Sequence, residues 1–321
     1  MVSGRPARRI AAAVAVLVVA AALPLVAGQH LLTAMIVALH AAFMALAWNV
    51  AAGYAGQFSL GHSLFYGIGA YASTVLYLRL GLTPWAGMFA GAALAGVVGV
   101  LLALGVYRYN VYGIFFALVT LGAAEVAKGL ADNWDFIKGP VGILLTMQYA
   151  PGDFFFLRRE PYYFVALAML VAMILISLAL ERSPLGQYFL AVREDEQAAE
   201  ASGVNTYRYK TIAIGLSAAL TAFAGSFYAQ FYLYISPETV FVFEPQLTMM
   251  LGTMVGGAGT ALGPVIGAML FSGLGEALRN LPFFENTRQV VIGSKMVYAV
   301  LLIVVLIYLP GGLITLGRRR A

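Results

Sequence analysis

Long apolar runs alternate with short polar segments along almost the whole chain. The runs cover residues 10–27, 31–52, 64–80, 84–106, 111–130, 162–180, 211–234, 245–255, 265–278 and 290–309. A helix that crosses a bilayer needs about 20 consecutive apolar residues. The pattern therefore predicts an all-α fold, a polytopic membrane helix bundle of about eight to ten transmembrane helices. We expect residues 1–321 to form a single transmembrane domain.

The composition agrees with a bilayer as the main solvent. Hydrophobic residues make up 62% of the chain and charged residues only 10%, whereas soluble domains carry about 25% charged residues. The net charge is +5, but the basic residues stand at the ends of apolar runs, where lysine and arginine mark cytoplasmic loops. We therefore expect no nucleic-acid partner. The chain has no cysteine, which excludes disulfides and thiolate metal sites.

The basic residues also predict the orientation of the bundle. Arg5, Arg8 and Arg9 precede the first apolar run, which we interpret as a spanning helix rather than a cleaved signal peptide because further spans follow at once. Alternating crossings then place Arg108 and the carboxyl-terminal arginines on the same side. Both termini are predicted to be cytoplasmic.

The densest run of charge, residues 182–210, lies between two apolar runs and is called the charged segment below. The same alternation places it on the cytoplasmic side. A polar helix held between two spans is suited to bind a partner, so we interpret the charged segment as a docking element rather than a merely solvated loop.

Two glycine-rich stretches interrupt the apolar pattern, one in each half of the chain. The first break is G-Y-A-G-Q-F-S-L-G, residues 53–61, and the second break is G-G-A-G-T-A-L-G-P, residues 256–264. Interrupted hydrophobic segments in both halves are a pointer to a transport site, although such glycines can also serve helix packing alone. The predicted translocation path comprises Gly53, Gly56, Gln57, Ser59, Gly61, His62, Gly256, Gly257, Gly259, Gly263 and Pro264.

Few charges fall inside the apolar runs. Glu125 and Lys128 are three residues apart and share a helix face. They fall toward the outer end of their span, so we expect a structural ion pair or snorkelling more than a proton relay. The sequence contains no G-x-x-x-x-G-K-[ST] motif and no H-E-x-x-H motif. No cluster of acids or histidines has metal-ligand spacing. We therefore expect no catalytic residue, metal or cofactor in this chain, and no enzyme activity of its own.

The motifs together resemble a known family. They are residues 49–71 around the first break, 111–125, 182–204 in the charged segment, I-S-P-E-T at 235–239, and 255–268 around the second break. In this order they resemble the LivM-type permease subunit of branched-chain amino acid ABC transporters. The resemblance implies a multi-pass protein of the bacterial cytoplasmic (inner) membrane that carries branched-chain amino acids inward.

The resemblance also implies partners. They are a second permease subunit, expected to be a different chain, two cytoplasmic ATP-binding subunits and an extracytoplasmic substrate-binding protein. It places an E-A-A-x-x-x-G coupling motif on Gln197, Ala198, Ala199, Glu200 and Gly203, with Gln197 where the family has glutamate. That departure leaves the docking acid open. The expected coupling residues further include Arg193, Glu194, Asp195 and Glu196.

Two other functions stay open on the sequence. Permeases for urea and short amides carry similar motifs. A self-sufficient secondary transporter or channel would use the Glu125 and Lys128 pair for ion coupling. The missing P-loop favours a permease that depends on ATPase chains, because any ATP must then be hydrolysed elsewhere.

Overall fold

The computed structural model of the chain describes residues 15, 17–146, 153–279, 300 and 312–314, without the side chains of 278 and 279. The basic termini, the start of the first apolar run and nearly all of the last lie outside the described residues. The expectations that rest on them, including the orientation of both termini, stay predictions.

Helices account for nearly all of the regular structure. They are α1 (Gln29–Asn49), α2 (His62–Leu80), α3 (Pro84–Arg108), α4 (Ile114–Asp132), α5 (Glu160–Arg182), α6 (Pro184–Glu194), α7 (Glu196–Ala201), α8 (Thr206–Tyr232), α9 (Pro237–Val240), α10 (Phe243–Gly256) and α11 (Gly263–Arg279). Two strands of two residues, β1 (Ile143–Leu144) and β2 (Tyr234–Ile235), pair antiparallel. Short 3₁₀ turns occupy Leu23–Leu25, Asp135–Ile137 and Gly139–Val141.

The predicted membrane bundle is confirmed. Five described helices are long and apolar enough to cross a membrane, namely α1 with the turn that follows it, α3, α4, α5 and α8. Helix α8 lies at the centre of the bundle, packed against α2 and α3. Glycine permits the closest of these contacts, because a Cβ on Gly225 of α8 would overlap the carbonyl oxygen of Tyr66 on α2.

Helix α10 is shorter than a full crossing. It contains 14 residues, or about 21 Å at 1.5 Å per residue, against a hydrocarbon core of about 30 Å. Helix α11 is described over 17 residues, up to the last described residue of this range, Arg279. The two helices form an antiparallel hairpin, since Gly256 lies against Gly263 and Gly252 against Gly267. The second break is the turn of this hairpin.

The bundle has two distinct ends. At the charged end, Tyr207 Oη of the charged segment donates to the carbonyl of Leu104, one turn before Arg108. This confirms that the Arg108 loop and the charged segment share one side. At the opposite end, β1 and β2 pair through Ile143 with Ile235.

Candidate functional site at the junction of the two breaks

Both breaks meet at the charged end, where α1 ends in an irregular turn. The helix passes at Asn49 into a π-helical turn, Val50–Tyr54, a feature found often at functional sites. The side chain of Asn49 is fully buried. Its Nδ2 donates to the carbonyl of Thr260 at 3.1 Å, and its Oδ1 accepts from the Gly259 amide at 2.8 Å. One buried amide therefore fixes the second break on the end of α1.

Arg193 of the charged segment lies between the two breaks. Its Nη1 donates to the carbonyl of Gly53 at 2.6 Å. Gly56 and Gly259 hold the same position in the two G-x-A-G motifs, and both have left-handed backbones, with φ of +70° and +75°. A Cβ on Gly56 would lie 3.2 Å from Arg193 Cγ, and one on Gly259 would overlap Arg193 Nη1. Arginine thus occupies the space that glycine leaves on both sides.

A second charged residue joins the same breaks. Oε1 of Glu181, in the last turn of α5, accepts a hydrogen bond from Tyr54 Oη at 3.0 Å. The same oxygen accepts from the Ala261 amide at 2.7 Å. Hydrogen bonds to an ionised carboxylate are among the stronger ones in proteins. Glu181 and Arg193 therefore each bridge the first break to the second, from the two sides of the turn at Ser183.

The sequence predicted the breaks and Arg193 as separate sites, whereas the structure brings them together. It did not single out Asn49 or Glu181. A signal was available for both, because an asparagine and a glutamate at the ends of apolar runs need buried partners. What the sequence lacked was the identity of those partners, which lie 210 and 80 residues away.

Hydrogen bonds to protein groups hold the rest of the first break. The carbonyl of Ser59 accepts from Trp48 Nε1 at 2.9 Å and from Gln246 Nε2 at 3.0 Å. Oε1 of Gln246 in turn accepts from the His62 amide at 2.8 Å. Non-helical backbone inside a bilayer requires such protein partners.

The ring of His62 completes this buried network. Its Nε2 lies 2.7 Å from Ser217 Oγ, which donates its own proton to the carbonyl of Ala47 at 2.7 Å. Ser217 must therefore accept from Nε2, which assigns the proton to that nitrogen. Nδ1 then accepts from Ser59 Oγ at 3.0 Å. His62 is a neutral ring with both nitrogens satisfied.

The other predicted path residues make packing contacts. Gln57 Oε1 accepts from Tyr107 Oη at 2.7 Å. A Cβ on Gly61 would overlap the carbonyl of Thr120 on α4. Gly256, Gly257, Gly263 and Pro264 form the turn of the α10–α11 hairpin. Their assignment to a translocation path stays a prediction.

Within the charged segment, the docking face is narrower than the sequence indicated. Asp195 Oδ1 caps α7 by accepting from the Ala198 amide at 2.9 Å. Glu196 forms an ion pair with Lys210, whose side chain is only 2% exposed. The Lys210 ammonium also lies 4.8 and 4.4 Å from the ring centres of Tyr107 and Tyr112. Glu196 is thus an internal anchor of α7.

The remaining residues of this segment divide by exposure. Glu200 accepts from Thr206 Oγ1, and Ala199 is buried beneath α7. Among the predicted coupling residues, the exposed ones are Arg193, Glu194, Asp195, Gln197, Ala198, Glu200 and Gly203. Of the four candidate docking acids, Glu194 and Asp195 therefore present the most accessible charge.

The predicted pairing of Glu125 with Lys128 is wrong. Lys128 Nζ forms its ion pair with Glu238 Oε1, at 2.8 Å, and Glu125 is exposed on the surface of α4. The two residues do share a helix face, but Glu238 reaches Lys128 from the segment after α8. Among the described residues, no group of three acids or histidines is arranged to hold a metal ion.

Comparisons with known proteins identify this architecture. Residues 30–306 match the family described as branched-chain amino acid transport system / permease component. The high-affinity branched-chain amino acid transport system permease protein LivM of Escherichia coli is 29% identical, over 95% of this chain and 75% of the relative. The LivH permease protein of the same system is 24% identical, over 86% and 91% of the two chains.

A more distant relative is named for a different substrate. The ribose import permease protein RbsC of Haemophilus influenzae is 24% identical, over 66% of this chain and 64% of its own length. No solved structure matches the chain. The match to the family over most of the sequence shows that the chain is a member of the branched-chain amino acid transport system permease family.

Proposed function

We propose that the chain is the membrane permease subunit of an ABC importer that carries branched-chain amino acids into the bacterial cytoplasm. ATP-binding subunits on separate chains supply the energy, and a second permease and an extracytoplasmic binding protein complete the complex. Family membership and the names of the LivM and LivH relatives support the substrate class. The inner membrane is the corresponding location.

The observation that carries the proposal is the junction of the two breaks with the charged segment. Glu181, just before this segment, accepts hydrogen bonds from both breaks. Arg193, within the segment, donates to the first break and lies against Gly259 of the second. A partner that pushes on the exposed face of α7 moves α6, and with it Arg193. Because the Gly53 carbonyl and the backbone of Gly259 contact the same guanidinium, the two breaks move together.

The ion pair of Glu196 with Lys210 makes this transmission stiff. It ties α7 to the first turn of α8, the central helix of the bundle. A push on α7 is therefore transferred to the bundle rather than lost in bending of the segment. The buried position of Lys210 keeps the pair from being screened by salt.

The alternative of a self-sufficient ion-coupled transporter has lost its main support. It relied on Glu125 and Lys128 as a coupling pair, and Lys128 is engaged by Glu238 instead. No contact among the described residues favours a urea or amide substrate over an apolar amino acid.

The test is to compare transport with ATP hydrolysis in the complete transporter reconstituted into liposomes. The wild-type complex is expected to accumulate leucine only with ATP inside and binding protein outside. Arg193→Gln is expected to lower leucine uptake at least about tenfold while the ATPase rate changes less than about twofold, because force is generated but not transmitted. Arg108→Gln, an exposed arginine at the same end, is the matched control and should transport normally.

Two results would contradict the proposal. One is leucine accumulation by the lone chain without ATPase subunits. The other is an Arg193→Gln complex that retains the wild-type ratio of leucine transported to ATP hydrolysed.

A further inference from the structure

Tyr107 connects the charged segment to the first break. It lies in the last turn of α3 and is buried at the charged end of the bundle. Its Oη donates to Gln57 Oε1 at 2.7 Å, and its ring centre lies 4.8 Å from the Lys210 ammonium. An ammonium within about 6 Å of a tyrosine ring is attracted to that ring. One side chain therefore contacts both a residue of the first break and the lysine that anchors α7.

Gln57, the acceptor of this bond, fixes the backbone of the first break. Its backbone N–H donates to the carbonyl of Ala51 at 2.8 Å, and its Nε2 donates to the carbonyl of Ala55 at 2.9 Å. The residue before it is Gly56, whose added Cβ would lie 3.2 Å from Arg193 Cγ. A group that holds Gln57 in place therefore also holds the backbone that Arg193 contacts.

These contacts close into a circuit. Arg193 precedes Glu196 by three residues, and Glu196 forms its ion pair with Lys210. Lys210 lies against the Tyr107 ring, and the Tyr107 hydroxyl bonds to Gln57 beside the Arg193 contact. A cavity of about 230 Å³ is lined by Gln57, Arg193 and Glu196. Because close packing does not fill this space, the contacts of the circuit set where Arg193 meets the break.

We propose that Tyr107 is a positioning residue for the coupling of this transporter. It holds Gln57, and through Gln57 it keeps the Gly53 carbonyl and Gly56 aligned with the Arg193 guanidinium while α7 moves. Tyr107 acts through the Arg193 contact and carries no force by a separate route. The inference rests on the proposed function and names a further residue on which its coupling depends.

Tyr112 offers a matched control. Its ring centre lies 4.4 Å from the same Lys210 ammonium, and its Oη also donates to an amide oxygen, Asn110 Oδ1, at 2.7 Å. Asn110 belongs to neither break. Tyr107→Phe and Tyr112→Phe each keep the ring beside Lys210 and remove one hydroxyl, but only Tyr107→Phe releases Gln57.

The first measurement is the amount of leucine transported per ATP hydrolysed by the complete transporter in liposomes. Tyr107→Phe should lower this ratio about fivefold, equivalent to about 1 kcal/mol, as expected for one lost hydrogen bond. Tyr112→Phe should keep the wild-type ratio. Gln57→Leu removes the acceptor instead of the donor and should lower the ratio at least as much as Tyr107→Phe, so the test does not depend on the folding of one variant.

The second measurement tests whether Tyr107 acts through Arg193. Residues of one network have non-additive effects. The double variant Arg193→Gln, Tyr107→Phe should therefore have a ratio within about twofold of Arg193→Gln alone. A further fivefold loss in the double variant would show that Tyr107 acts independently of Arg193, and would overturn the inference.

Thermal midpoints of the same complexes separate positioning from a purely structural role. A lower midpoint of Tyr107→Phe with the wild-type ratio of leucine to ATP would overturn the inference, and so would an equal loss of the ratio in Tyr112→Phe. In both cases ATP-driven leucine uptake by the wild-type complex still stands. Failure of that wild-type uptake would overturn the proposed function itself.

Discussion

The two ends of the bundle differ in how the same helices are packed. At the charged end, the tips of α1 and α10 meet in a junction where Asn49, Glu181 and Arg193 satisfy the irregular backbone of both breaks. At the opposite end, α1 and α10 enclose a cavity of about 400 Å³ with acids at its wall. The described part of the bundle is therefore tightly packed at the charged end and leaves open space at the other end.

This comparison assigns different roles to glycine and to charge. At the junction, glycine lets the backbones of the two breaks approach one arginine. We interpret this contact as the one that transmits force. At the cavity, the acids Glu238 and Glu244 stand beside open space instead of bridging two backbones. The following variants change one end and leave the other.

The largest effect is expected from Gly259→Leu. A side chain there overlaps the Arg193 guanidinium, and φ of +75° is strained for any residue with a Cβ. ATP-driven leucine uptake should fall at least about 100-fold, equivalent to about 2.7 kcal/mol of barrier. Gly105→Leu, where nothing lies within 4 Å of the added Cβ, is the control. Normal uptake by Gly259→Leu would show that the junction is not part of the transport cycle.

Asn49→Leu should destabilise the junction without adding bulk. It leaves the Gly259 amide and the Thr260 carbonyl without their partners, at a cost of about 3 kcal/mol. The thermal midpoint in detergent should fall, and protease should cleave the second break faster. Asn49→Asp keeps the oxygen that accepts from the Gly259 amide but turns a second oxygen toward the Thr260 carbonyl, so it should also fall below the wild type in both measurements. Equal thermal midpoints for all three proteins would show that Asn49 does not stabilise the junction.

The ion pair of Glu196 with Lys210 anchors the charged segment. Removing the acid and removing the base should lower the stability by different amounts. Glu196→Ala leaves the nearly buried Lys210 ammonium without its carboxylate and should cost about 2–3 kcal/mol of stability. Lys210→Met removes the buried charge itself and should cost less, about 1 kcal/mol. Glu194→Ala, at an exposed position, is the control. Thermal midpoints give the order, and a more severe loss in Lys210→Met than in Glu196→Ala would contradict it.

The smallest effect is expected at the end opposite the charged segment, from Lys128→Met. The substitution removes the ammonium that pairs with Glu238, whose side chain is 63% exposed. An ion pair this exposed contributes about 0–1 kcal/mol, so the thermal midpoint should fall only slightly. The transport-to-hydrolysis ratio should not change, because the junction is untouched. A fall in the midpoint as large as that of Asn49→Leu would contradict this order.

The sequence predicted the fold well because its strongest signal is local. Runs of about 20 apolar residues and the positions of Arg108 and the charged segment follow from bilayer thickness and charge placement, and both are confirmed by α3, α5 and α8. The β1–β2 pair escaped prediction, since strands of two residues have no periodicity to read.

The site was predicted only in pieces, because its contacts join distant parts of the chain. The interruption of both halves by glycine-rich stretches assigned the two breaks to one predicted translocation path. It could not show that Arg193 fills the space between Gly56 and Gly259, nor that Glu238 would outcompete Glu125 for Lys128. Spacing along one helix identifies only the possible partners on that helix. Tertiary packing brought an acid from another segment, Glu238, to Lys128.

The central claim is that force from the ATP-binding subunits reaches the breaks through Arg193. The chain has no cysteine, so spin labels can be placed cleanly at Tyr109 and Leu262, exposed residues at the charged end, with Leu262 in the second break. Electron paramagnetic resonance distances between these labels, with and without ATP in the complete transporter, follow the second break directly. The wild type should show an ATP-dependent change in distance that Arg193→Gln lacks while it still hydrolyses ATP. An equal change in both proteins would contradict the claim.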